Sequence, residues 1–224
     1  MDPDITKISA LQKGLLAWYK QNGRDFPWRS NQLTCYEKII AELLLQRTKA
    51  ETVKVFFPRF LTLYPSWSAI SKKEIITLEN DLKPIGLYKQ RAKRISLLAN
   101  EMMLRKNELP DSKEELMKLP FIGQYLACAI LLLCFGEKHP LVDVNMVRLI
   151  ERYFHKKQLA DYRYDPFIQE TAYKIVNHKK TIEINFAILD FAAKICKSEK
   201  PHCDICTIKL NCSFLKNNCI LIEK

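Results

Sequence analysis

The sequence predicts an all-α protein, and three observations carry that prediction. Only five glycines occur in 224 residues, at positions 14, 23, 86, 123 and 136. Antiparallel sheets turn on Gly or Asn at positive φ, and little of that turn chemistry is present. Apolar residues instead recur every three or four positions along nearly the whole chain, the period of an amphipathic helix. No internal repeat, low-complexity stretch or long linker interrupts the pattern.

The elements follow in order. Ile5, Ile8, Leu11, Leu15 and Trp18 predict a first helix that ends near Gly23. Tyr36, Ile39, Ile40, Leu43 and Leu44 predict a second; Val53, Phe56, Phe57, Phe60 and Leu61 predict a third. A long helix follows Tyr88, and Ser112 with Glu115 three residues on is a capping-box signal for another. Segments 124–135, 143–154, 165–177 and 181–196 complete about ten helices. Hydrophobic residues make up 48% of the chain, enough for a real core. The longest apolar run, Leu126 to Gly136, falls well short of the roughly 20 residues that span a bilayer. The N-terminal MDPDITKIS is acidic and polar, unlike a secretory signal. These features predict a cytoplasmic protein of the prokaryotic cytosol or nucleoid, without membrane contact. In a reducing compartment, clustered cysteines bind metal more often than they pair.

The formal net charge is +11. From Lys72 to Lys106, nine Lys or Arg residues (72, 73, 83, 89, 91, 93, 94, 105, 106) face four acids (74, 79, 81, 101). Such an excess suggests a polyanionic partner, most simply nucleic acid, although a solvated lysine-rich surface would look the same.

Four segments can carry chemistry. Cys196, Cys203, Cys206 and Cys212 have the spacing C-x6-C-x2-C-x5-C. Structural zinc sites usually show two close pairs, and here there is one. The wider arms suit a four-iron cubane, although spacing alone leaves zinc open. Cys35, Cys128, Cys134 and Cys219 lack any such spacing and are expected as small buried hydrophobes. LPFIGQYLACAI, from Leu119 to Ile130, reads as a tight turn at Pro120 to Gly123 followed by a helix whose free N–H groups can hold a phosphate. A plain helical connection would read similarly. In LVDVNMVR, Asp143 precedes a helix as a good N-cap or stands as a carboxylate for catalysis. In IIAELLLQRT, Glu42 lies within an apolar run, where burial would raise its proton affinity unless it is ion-paired.

Together these motifs resemble the helix-hairpin-helix base-excision DNA glycosylases with a cysteine-cluster loop, the superfamily of endonuclease III and MutY. The resemblance runs from about Phe26-Pro27-Trp28 to Cys212, and the cysteine spacing agrees at every interval. It implies an all-α, two-lobed fold with a C-terminal [4Fe-4S] cluster loop at 196–212. One lobe would be a six-helix body over 28–136 with the helix-hairpin-helix; the other would comprise 1–27 and 137–224. The cleft between them would receive double-stranded DNA with a mismatched or damaged base, the protein acting as a monomer. Cys196, Cys203, Cys206 and Cys212 would hold the cluster. Ile122, Gly123 and Gln124 would contact a phosphate, with Phe121 standing where the family usually has Gly, so altered hairpin geometry is expected.

By the same resemblance, Asp143 is the catalytic carboxylate. Tyr125 occupies the position of the Schiff-base lysine of strand-cutting members, which implies a monofunctional glycosylase without efficient lyase activity. Glu42 would face the flipped base or help protonate it. Gln46 would fill the gap in the duplex, Arg47 would contact DNA, and Leu87 or Tyr88 would form a second wedge. Arg91, Lys93 and Arg94 are candidate phosphate contacts. Ala50 and Phe186 would line the base pocket. Phe186 stands where the adenine branch usually carries glutamine, and the chain ends a dozen residues after Cys212, with no room for a domain reading oxidised guanine. Removal of thymine or uracil opposite guanine is therefore expected. The alternatives are adenine removal opposite oxidised guanine, a non-catalytic structure-specific DNA-binding protein and, more weakly, a redox protein.

Overall fold

A computed structural model describes residues 4–154 and 160–219. Its regular elements are all helical among the described residues. The chain divides into two compact units, one formed by Met1–Arg24 and Lys138–Lys224, the other by Asp25–Glu137. Among the described residues no helix is long and apolar enough to cross a membrane.

The continuous unit opens with a 3-10 turn, Pro27–Arg29, and carries α2 (Cys35–Leu45), α3 (Ala50–Leu63), α4 (Trp67–Ser71), α5 (Ile75–Leu82), α6 (Tyr88–Leu104), α7 (Lys113–Leu116) and α8 (Gln124–Cys134). Thr34 starts α2 with a reciprocal capping box, its hydroxyl accepting from Glu37 N while the Glu37 carboxylate accepts from Thr34 N. Ser66 and Ser112 cap α4 and α7 in the simpler one-way manner. The apolar faces meet in a core containing Trp28, Phe57, Phe60, Leu78, Ile95 and Leu126. Their burial removes apolar area from water at about 25 cal/mol per Å² and holds the short helices that propensity alone would not.

The discontinuous unit carries α1 (Ile5–Asn22), α9 (Val144–Phe154), α10 (Pro166–Val176), α11 (Thr181–Lys194) and α12 (Ser213–Cys219). Asp4 caps α1; Asp165, followed by Pro166 in the first turn, caps α10. Leu11, Leu15 and Trp18 of α1 join Leu149, Ile150, Ile188 and Phe191 in a second core. Gly14 lets α1 pass close to the cysteine-rich segment, because a Cβ there would stand 2.6 Å from Ile208 Cγ2. The buried Asp190 carboxylate accepts from the Arg24 backbone N–H at 2.8 Å and from Arg24 Nε at 2.7 Å, tying α11 to the end of the N-terminal segment.

Among the cysteines without metal spacing, Cys128 is buried as expected. Cys35 and Cys134 are only half-buried, a correction that follows from their places at opposite ends of α2 and α8 rather than in mid-helix. The side chain of Cys219 lies outside the described residues.

Candidate functional site

The segment leading to Asp143 is held by a buried amide. Leu141 N donates to Asn185 Oδ1 at 2.8 Å, and Asn185 Nδ2 donates to the His139 and Thr181 carbonyls. Asp143 then caps α9. Its Oδ1 accepts from Asn145 N at 2.9 Å and Met146 N at 2.8 Å, and its Oδ2 accepts from Asn145 Nδ2 at 2.6 Å. Burial raises the Asp143 pKa above the usual aspartate value, opposed in turn by the Met146 and Asn145 donors and by the Arg148 charge. The result is a fixed carboxylate with a strengthened hold on protons.

Arg148 extends the arrangement. Its Nη2 donates to Asn145 Oδ1 at 2.9 Å and to the Ala192 carbonyl at 3.1 Å, and its Nε donates to the Cys196 carbonyl at 2.9 Å. One guanidinium thus satisfies the end of α11 and the first cluster-type cysteine while steadying the asparagine that holds Asp143.

Cys196, Cys203, Cys206 and Cys212 line one pocket of about 350 Å³, part of it open to solvent, with Leu149, Tyr153 and Ile208 among its walls. Arg152 stands at its rim. Its Nη1 lies 3.5 Å from Cys196 Sγ and 2.5 Å from the Lys197 carbonyl, and Nη2 donates to the Ser198 carbonyl at 2.8 Å. Among the described residues no group of three or more His, Cys, Asp or Glu converges to hold a metal ion. The lysines between the cysteines are exposed; Lys209 Nζ donates to the Asp204 carbonyl, and Lys197 Nζ sits 2.9 Å from His202 Nε2.

The other expected site residues, apart from Phe186, lie in the continuous unit. Glu42 is buried in α2. Gln46 ends that helix, followed by exposed Arg47 in a left-handed conformation at φ 55°. Ala50 begins α3, half-buried. Leu87, half-exposed at 49% and also left-handed at φ 50°, stands at the N-cap of α6, with half-buried Tyr88 next. Ile122 is buried, Gly123 caps α8, and Gln124 and Tyr125 form its first turn, each half-buried. Asp143 and Phe186, the latter buried in α11, belong to the discontinuous unit.

One expectation needs correction. Arg91 is not an exposed phosphate contact. It is buried, with Nη1 donating to the Leu43 and Leu44 carbonyls and Nη2 to the Gln46 carbonyl and Thr48 Oγ1. Its Nη donors are spent at the end of α2, whose last carbonyls have no partner within the helix, while Nε is buried without a hydrogen-bond partner. At Phe121 the backbone adopts φ 62°, the left-handed region that glycine enters easily and a phenylalanine rarely does.

Asn145, Arg148 and Arg152 escaped the sequence reading. Their i, i+3, i+7 spacing marks one polar stripe on α9, and that stripe was the available signal.

Residues 40–164 match the HhH-GPD superfamily of base excision DNA repair proteins. The chain is 34% identical to a thymine-DNA glycosylase of Aeropyrum pernix, covering 96% of this chain and 98% of that one. It is 33% identical to a thymine/uracil-DNA glycosylase of Methanothermobacter thermautotrophicus, covering 95% and 96%. The solved structure of a thermostable thymine-DNA glycosylase superposes with a TM-score of 0.88 at 31% identity, over 95% of this chain and 98% of that one.

Proposed function

The chain belongs to the HhH-GPD superfamily of base excision DNA repair proteins, and from that premise we infer that it is a DNA glycosylase removing thymine or uracil mispaired with guanine. Asp143 is the observation that carries the chemistry: a carboxylate fixed by three donated hydrogen bonds and partly withdrawn from water. As the N-glycosidic bond breaks, the electron pair leaves with the base and the sugar becomes oxocarbenium-like. Ionised Asp143 stabilises that cation and takes a proton from the water that adds to the anomeric carbon. Glu42 assists departure by lending a proton to the base. Tyr125 is a phenol and forms no imine with the sugar, so the strand stays intact.

Extruding a nucleotide costs a few kcal/mol, least at a mismatch. Gln46, Leu87 and Tyr88 offset it by occupying the duplex. The backbone N–H groups of Gly123 and Gln124 hold a phosphate at the start of α8. The choice of base rests on the likeness to thymine and thymine/uracil glycosylases.

The superfamily includes iron–sulfur members. We propose that Cys196, Cys203, Cys206 and Cys212 hold a [4Fe-4S] cluster. Four thiols around a pocket, rather than meeting at a point, are a donor set that suits a cubane with one thiolate per iron. Bound there, the cluster would tie the loop together and leave the sugar chemistry to the side chains. Protein purified without oxygen should be brown and contain iron; colourless, iron-free protein would refute the assignment.

The test of function is a panel of duplexes carrying G·T, G·U, adenine opposite oxidised guanine, or oxidised pyrimidines, with alkali added to reveal abasic sites. Cleavage of G·T and G·U is expected, with no adduct trapped by borohydride. Failure on both mispairs would sink the proposal.

A further inference from the structure

We propose that Phe121 is a further DNA-contacting residue, its ring packing against the sugar and base edge of the bound duplex. The inference deepens the glycosylase reading and rests on it. Phe121 is held at φ 62°, where a β-carbon meets the following carbonyl, so the folded state gives up stability to keep a phenylalanine there. Packing does not repay that cost, because the side chain remains 42% exposed and lies outside the buried core.

The ring is nonetheless organised. The Arg94 guanidinium lies over it at 5.4 Å from the centroid, and Arg94 Nη1 also reaches Gln46 Oε1 at 3.3 Å. One arginine therefore steadies both an exposed aromatic and the amide proposed to enter the duplex. The first turns of α6 add Lys89 and Lys93, both exposed, so the surroundings are complementary to a polyanion. An aromatic face stacks on sugars and bases with little regard to sequence, and that role fits a costly, exposed, positively flanked ring.

The test uses the full chain and a duplex carrying 2′-fluoro-thymidine opposite guanine, which resists hydrolysis and keeps the probe intact. Phe121→Gly should weaken binding about tenfold, the loss of one stacking contact. It should melt at the same or a higher temperature, since glycine accepts the left-handed backbone. The dependence of affinity on salt should keep its slope, because no phosphate contact is lost. Phe121→Leu should weaken binding less, retaining apolar area but no ring. Wild-type affinity in Phe121→Gly would overturn the proposal. So would a lower melting temperature, which would assign the ring to packing, or a shallower salt slope, which would assign the effect to the hairpin backbone. Excision of G·T is read separately. A wild-type protein that binds but excises nothing refutes the glycosylase reading, while the binding series still decides the role of Phe121.

Discussion

Arg148→Ala should slow excision without weakening DNA binding. Arg148 donates to three acceptors: Asn145 Oδ1, the Ala192 carbonyl and the Cys196 carbonyl. Truncation leaves all three without that donor. At about 1 kcal/mol for each half-buried hydrogen bond, the loss is about 3 kcal/mol. For a chain of this size that corresponds to a fall in melting temperature of roughly 9 °C. The catalytic consequence passes through Asn145, which loses its anchor and holds Asp143 less firmly. A carboxylate displaced by a fraction of an ångström at an oxocarbenium-like centre costs about tenfold to a hundredfold in rate. The loss belongs in kcat rather than KM, because Arg148 is occupied within the protein. Arg148→Lys keeps the charge, but one ammonium cannot span three acceptors, and it should recover little. The assay is single-turnover excision of a G·T duplex, with iron content and melting temperature measured on the same preparations. Arg148→Ala that excises at the wild-type rate would refute the reasoning, whatever its stability.

Asp143→Asn should abolish excision while retaining DNA binding, as followed by alkali-revealed cleavage and a duplex-binding titration. Burial raises the Asp143 pKa, so the folded protein binds that proton more tightly than the unfolded chain. Its contribution to stability therefore falls as pH rises from 3.8 through the raised folded value, and the acid limb of the excision profile should lie above the ordinary aspartate range. Gly123→Ala should leave the melting temperature unchanged, since a Cβ there meets nothing within 4 Å and φ is −93°. It should weaken DNA binding and lower the salt slope by about one, because that open space is the proposed phosphate position. Asp190→Ala should cost about 3 kcal/mol in urea denaturation, the low end for a broken buried pair, because Arg24 keeps 23% side-chain exposure. A loss below about 1 kcal/mol would mean that solvent replaces the carboxylate.

The helical plan was legible where apolar periodicity runs for several turns, as in α1, α3 and α6. It failed at α4 and α5, of five and eight residues, because two turns carry too few positions to establish a period. That Cys196, Cys203, Cys206 and Cys212 gather around one pocket was legible because their spacing is local. Arg91 was misread because a basic segment looks like surface, and charge says nothing about which cation turns inward. The sequence did hold a clue: α2 ends at Gln46 with no glycine to wrap its last carbonyls, so an outside donor had to be found. Asp143 was legible by its place before a helix. The burial that raises its pKa, and the Met146, Asn145 and Arg148 groups that oppose the rise, require the three-dimensional course of the chain.

The misread arginine explains how strained loops can be functional. Arg47 and Leu87 both hold left-handed backbones that cost non-glycine residues about 1–2 kcal/mol each, and such conformations persist only where neighbours over-determine them. Arg91 supplies that determination. It binds the Leu43, Leu44 and Gln46 carbonyls and Thr48 Oγ1, while Thr48 Oγ1 lies 3.3 Å from the Ile85 carbonyl, just before Gly86 and Leu87. Burying a guanidinium is costly, burial lowers the Arg91 pKa and Nε has no partner, but four acceptors on the two Nη atoms offset part of the cost and the group stays charged. The end of α2 and the start of α6 thereby become one braced surface. The side chains proposed to enter a duplex would then be ordered before DNA arrives, and the entropy lost on binding would be correspondingly smaller.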